Sequence, residues 1–128
     1  MLKPGAAILI PSGPESDPDR MHLHIVVARK SGPPAQVLLV SICSIPMRHY
    51  DDTTTLDGNE HPFLKHPSYI KYRAENVRSE AQIERGIENG IFLLKDDCDE
   101  QLLRRIQKGF YSSKFVKLCD RDFLEESD

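Results

Sequence analysis

The cleanest alternation of apolar and polar positions in the chain is "MHLHIVVA", where Met21, Leu23, Ile25 and Val27 fall on one side and His22, His24 and Val26 on the other. A period of two is that of a β-strand. Ahead of it, "AAILIP" is a short apolar run closed by Pro11 and the turn residues "SGP", which predicts a first strand, and the polar "ESDPDR" between them is a surface loop. Behind it, Ser31-Gly32-Pro33-Pro34 makes a turn into "QVLLVSICSI", a strand apolar on both sides until Pro46 stops it. The two long strands and the tight turn predict an antiparallel hairpin.

Further on, "TTTL" marks a short strand, and "SYIKYRAENV" alternates again, with Ser68, Ile70, Tyr72 and Ala74 turned to the core and Tyr69, Lys71, Arg73 and Glu75 outward. The segment before it, "HPFLKHP", reads as a loop, because Pro62 and Pro67 bias His61 and His66 towards extended backbone. Ser79 followed three residues later by Gln82 has the form of a capping box, so a helix is predicted from Glu80 to Glu88, stopped by Asn89-Gly90. A second helix is signalled by Asp96, Asp97, Asp99 and Glu100, acidic residues favoured at a helix N-terminus, followed by the apolar stripe Leu102, Leu103, Ile106 and Phe110. Residues 119–128 read as a frayed tail. Strands first and helices last predict one α+β domain over residues 1–128, a small, strongly bent antiparallel sheet or SH3-like β-barrel with one short helix and a C-terminal helix.

Composition narrows the class of function. A chain of 128 residues with 39% apolar and 29% charged residues has the balance of a soluble globular domain. The longest apolar run is strand-length and the N-terminal one is too short for a signal peptide, which predicts a cytoplasmic protein with no membrane partner. A net charge of −3 lacks the strongly basic footprint of a duplex-binding protein. Cys43, Cys98 and Cys119 are odd in number and form no Cys-x-x-Cys pair, which argues against a disulfide framework or a cysteine zinc site. P-loop, Gly-x-Gly-x-x-Gly and Ser-His-Asp patterns are absent, and no cofactor is expected.

The order of elements resembles the PemK/MazF-like toxins, metal-independent endoribonucleases of toxin–antitoxin pairs whose small barrel is shared with the CcdB toxins. "KPGAAILIPSGP", "HLHIVVA", "VLLVSICSI" and "HPSYIKYRAENVRSEAQIERGIENG" stand in the places of that family's successive strands and short helix, and "DEQLLRRIQKGF" in that of its closing helix. The resemblance covers about residues 4–110. It implies action on single-stranded RNA, an antitoxin-like protein partner and a homodimer. Where the family carries its catalytic arginine this chain has "HLH", with Arg20 and Arg29 the nearest arginines; where the family has Thr or Ser after the third strand, it has Cys43 and Ser44. On this resemblance Ser44 lies near the scissile phosphate.

The residues themselves suggest how the arginine is replaced. His22 and His24 project from the same side of a strand, and an imidazole with an ordinary pKa of ~6.5 can serve as base or acid near neutrality. Two solvated polar positions of an alternating strand are the plainer reading. Tyr69, Lys71 and Arg73 interleave an aromatic with two cations, a face that could stack an unpaired base and hold its phosphate, with Arg20 nearby; a solvated face is again the alternative. His-x-His also has chelating geometry, and His61 or His66 would be the candidates to complete a metal site, but no third ligand stands at a fixed local spacing. Three functions stay open: an endoribonuclease using His22, His24 and Ser44; a non-catalytic module of the same fold binding an antitoxin-like protein or a topoisomerase; and a metal-dependent enzyme built on the histidines.

Overall fold

The three apolar tracts at the start of the chain become the first three strands: β1 (Ala7–Pro11), β2 (Met21–Lys30) and β3 (Gln36–Ser44). The computed structural model describes residues 1–73 and 76–128. The remaining strands are β4 (Thr55–Leu56), β5 (Ser68–Lys71), β6 (Val77–Ser79) and β7 (Leu93–Lys95), and the helices are α1 (Glu80–Glu88), α2 (Glu100–Ser112) and α3 (Leu118–Glu126). All pairings are antiparallel, in the order β4-β5-β3-β2-β1-β7. β5 and β6 both lie along the edge of β3 away from β2, β5 against Ser41–Ser44 and β6 against Gln36–Leu38. β4 and β7 stand at opposite ends and do not pair with each other, so the sheet is open and not closed into a barrel.

The alternation in β1, β2 and β3 divides the core in two. Ala7 and Leu9, Leu23 and Ile25, Leu38, Val40 and Ile42 face α2 and α3, where they meet Leu102, Ile106, Phe110 and Phe123. Ile8 and Ile10, Val26, Val37 and Leu39 face the opposite way and meet Ile83 of α1. A register shift between Val26 and Ala28 turns two neighbours, Val27 and Ala28, to the α2/α3 side. Each fully buried Ile or Leu of these layers stabilises the fold by roughly 1.5–3 kcal/mol.

The helix boundaries follow local chemistry. The Ser79 hydroxyl accepts the amide N–H of Gln82 at the start of α1, and the Asp99 carboxylate accepts that of Leu102 at the start of α2. Past the C-terminus of α1, Gly90 takes a left-handed φ of 75°, which a side chain would disfavour.

Two expectations are corrected, and one strand forms that the sequence pattern did not predict. The tail is not frayed: residues 118–126 form α3, because Phe123 (5% exposed) packs into the core. Lys30 Nζ holds Glu126 at 2.7 Å and the Asp128 amide donates to the Arg29 carbonyl at 3.0 Å. The strand over 68–77 does not run through. It stops at Lys71, and Ala74 and Glu75 lie outside the described residues. Just past its end Tyr72 enters the core, its ring 5.0 Å from Phe110 and its hydroxyl donating to the Ile106 carbonyl at 2.8 Å. Finally, β7 forms from a short segment with no alternation, held by pairing to Ala7–Leu9. Among the described residues no helix is long and apolar enough to cross a membrane.

Candidate functional site

The face of the sheet covered by α1 is only half covered. Near α1 its positions are apolar; beyond the helix the same alternation presents His22 and His24 on β2, Ser41 and Cys43 on β3, and Tyr69 and Lys71 on β5. Pairing fixes a transverse row across four strands, Ile8, His24, Ser41, Lys71, because these residues stand opposite one another in register. Neighbours in such a row share a face, with strands about 4.8 Å apart. The row passes from buried apolar to exposed cationic.

This uncovered half holds a depression of about 260 Å³ lined by His22, His24, Ser41, Cys43, Lys71 and Arg78, with Ser12, Leu39 and Asn76 at its margin. No carboxylate lines it among the described residues. Among the described residues Arg29, Lys30, Arg104 and Arg105 are all joined to carboxylates, whereas Lys71 and Arg78 enter no ion pair. Two unneutralised cations around a partly desolvated hollow attract an anion.

Hydrogen bonds assign protons on the two imidazoles. His24 Nδ1 lies 3.0 Å from the His22 carbonyl, which can only accept, so Nδ1 carries the proton and Nε2 keeps its lone pair. Ser12 Oγ donates to the Ile10 carbonyl at 3.2 Å and sits 2.8 Å from His22 Nδ1. With the hydroxyl proton committed to that carbonyl, His22 Nδ1–H is the donor to Ser12. Burial, with smaller effects of the His22 and Arg78 charges, pushes the His24 pKa down to about 4, against a partial upward pull from the His22 carbonyl. His22 is also lowered, first by desolvation and then by Arg20 and Lys71. His24 is therefore neutral at pH 7, a group that can take a proton.

Of the residues singled out from the sequence, the fold brings His22, His24 and Lys71 together. Ser44 is not in that hollow: it follows Val40 and Ile42 on the other side of β3 and meets His22 only at a second depression, so His22, His24 and Ser44 do not line one hollow together. Ser41 and Cys43 occupy that strand's positions beside the histidines. Ser44 borders a second depression of about 210 Å³ at the strand ends, together with Arg20 and His66. Tyr69 shares the histidine face, opposite Cys43, and its ring lies 5.1 Å from Tyr50. Arg73 stacks over Phe115 at 4.5 Å. With Lys71 these four border a third depression of about 220 Å³.

The two loop histidines have separate fates. His61 is buried (3% exposed), its Nδ1 accepting the Phe63 amide and its Nε2 donating to the Asp96 carbonyl, so neither nitrogen is free for a metal. His66 is exposed on the rim of the second depression. Among the described residues no group of three or more His, Cys, Asp or Glu is arranged to hold a metal ion.

Arg78, Ser41, Cys43, Ser12 and Asn76 were not singled out in these roles. A signal for two of them exists: Ser41-x-Cys43 repeats on β3 the polar spacing of His22-x-His24 on β2. No protein-family model, curated protein or solved structure matches the chain.

Proposed function

We propose that the uncovered half of the sheet binds single-stranded RNA and cleaves it without metal. The observation that carries this reading is a hollow with no carboxylate among its described lining residues, in which Lys71 and Arg78, which enter no ion pair among the described residues, flank two imidazoles. Neutral His24 takes the proton of a ribose 2′-hydroxyl, whose oxygen attacks the adjacent phosphorus. Lys71 and Arg78 stabilise the charge gathering on the phosphoryl oxygens. The bond from phosphorus to the 5′-oxygen breaks, and His22, whose protonated form the bound phosphate favours, gives that oxygen its proton. The products are a 2′,3′-cyclic phosphate and a 5′-hydroxyl. Tyr69 offers a stacking surface for a neighbouring base.

The order of elements supports a PemK/MazF-like assignment, with the open sheet as an unclosed version of that family's barrel. In this reading the protein is a cytoplasmic homodimer paired with an antitoxin-like protein. One observation favours a second reading, a module that binds without cleaving: burial shifts both histidines towards the neutral form, which weakens His22 as a proton donor. Incubation of the protein with a long single-stranded RNA in EDTA separates the two. Cyclic-phosphate ends that disappear in His24→Ala and in Lys71→Ala/Arg78→Ala support the nuclease; intact RNA at enzyme excess with binding retained supports the module. Absence of both cleavage and binding sinks the RNA reading altogether.

A further inference from the structure

We infer that the second depression, at the ends of β2, β3 and β5, is an additional phosphate subsite, so that the ligand of this face is an extended polynucleotide strand and not a mononucleotide or dinucleotide. The inference rests on the RNA-binding reading above. The second depression is lined by Arg20, Lys65, His66, Ser44, Ser68 and Phe63 together with Met21, Leu23, Ile42 and Leu64 of the α2/α3 side, so it opens around the strand ends, and among the described residues no carboxylate lines it. Among the described residues neither Arg20 nor Lys65 enters an ion pair, and both are exposed.

The two hollows are joined through one side chain. His22 lines both. The Arg20 carbonyl accepts the Ser12 amide at 2.9 Å, which continues the β1–β2 ladder one step beyond β2. Arg20, His22 and His24 therefore follow one another at two-residue steps of about 6.6–6.8 Å along one extended backbone. That is a step commensurate with one nucleotide of an extended strand. Lys65 and His66 flank the Arg20 end of this line, and Lys71 and Arg78 flank the His24 end.

Cations at the two ends of this line, Arg20 and Lys65 at one and Lys71 and Arg78 at the other with the imidazoles between them, can track a phosphate backbone and carry no sequence information by themselves. Phe63 stands at the second hollow, 40% exposed, as Tyr69 stands beyond the first. The polypeptide that supplies Phe63, Lys65 and His66 is the loop before β5. Its fold against the ends of β2 and β3 is what builds the second hollow.

The test is binding of uncleavable 2′-O-methyl RNA by fluorescence anisotropy, using a dinucleotide and an oligomer of about eight nucleotides. Arg20→Ala/Lys65→Ala is expected to weaken oligomer binding about tenfold, to lower its salt dependence by about one to two phosphate contacts, and to leave dinucleotide binding unchanged. Lys71→Ala/Arg78→Ala is expected to weaken both. If Arg20→Ala/Lys65→Ala leaves the oligomer unaffected, or weakens the dinucleotide equally, the second subsite is overturned while the first reading stands. If wild-type protein binds neither probe, both fall together. Because Arg20 and Lys65 are exposed, loss of folding does not confuse the outcome, and inorganic phosphate added as a competitor separates a free-anion site, which it would empty at low concentration, from a strand-binding one.

Discussion

Arg29 near the end of β2 and Glu80 at the first position of α1 face each other in a two-pronged ion pair, Nε to Oε2 at 2.6 Å and Nη2 to Oε1 at 3.0 Å. The Leu2 amide also donates to Glu80 Oε2, and Arg29 holds the Glu80 carboxyl below its usual range. This pair fixes where α1 sits, and hence which half of the sheet face is covered. Arg29→Met leaves a buried carboxylate without its cation and is expected to lower the urea midpoint clearly, with partial recovery in Arg29→Met/Glu80→Leu. Arg104→Ala, which removes an exposed pair with Glu100 on α2, is expected to change stability by no more than about 0.5 kcal/mol. Equal effects of the two single substitutions would overturn the role given to Arg29. Because the Glu80 pKa is depressed by folding, its contribution is present above the ordinary carboxylate value and is lost as the pH falls through the folded one.

Gly109 on α2 lies directly over Tyr72. A β-carbon there would overlap the Tyr72 hydroxyl and come within 2.7 Å of Thr54 Oγ1. Those hydroxyls are bonded to each other at 2.8 Å, with the Tyr72 phenol also donating to Ile106 and held above its ordinary pKa by burial. Alanine gains up to about 1 kcal/mol of helix propensity over glycine, but overpacking here is expected to cost about 1–3 kcal/mol. Gly109→Ala should therefore destabilise the protein in thermal or urea unfolding. A more stable variant would show that α2 does not rest on Tyr72.

Much of this architecture was legible because its signals are local. The bounds of α1 followed from Ser79, Gln82 and Gly90, and the hairpin of β2 and β3 from alternation around a Gly-Pro-Pro turn. What escaped is set by residues far apart in sequence. Just past the end of β5, Tyr72 bonds Ile106, a partner 34 positions away. Ser41 rather than Ser44 joins the histidines because the register of β3 against β2 decides which side each serine faces. The site itself exists because α1 covers Val26, Val37 and Leu39 and stops short of His22 and Ser41, which no local pattern records.

The same logic applies to α3. Its apolar positions Leu118, Phe123 and Leu124 make no regular helical stripe, so docking has to hold it. Phe123 is buried against the core with Lys30 Nζ 4.6 Å from its ring centre. Phe123→Ala is expected to cost about 3–5 kcal/mol, whereas Glu125→Ala should be nearly silent. A frayed tail would make both silent in urea unfolding, and that outcome would refute the docked helix.

His24 gives the protein a defined response to acid. Its pKa is about 4 in the folded chain, mainly through burial, against about 6.5 when unfolded. Between those values the unfolded chain binds a proton that the folded chain refuses, so stability falls as the pH drops from about 6.5 towards 4 and levels off below. The loss attributable to this one side chain, 9% exposed, is on the order of 3 kcal/mol. His22 is lowered too and acts in the same direction. His24→Gln removes the larger part, so its stability measured in urea between pH 7 and pH 4.5 should decline much less than that of the wild type; parallel declines would place the titrating group elsewhere. If His24 is also the base in RNA cleavage, the acid limb of the wild-type rate profile falls near pH 4 to 5. A limb near pH 6.5 would assign the proton transfer to a less buried group.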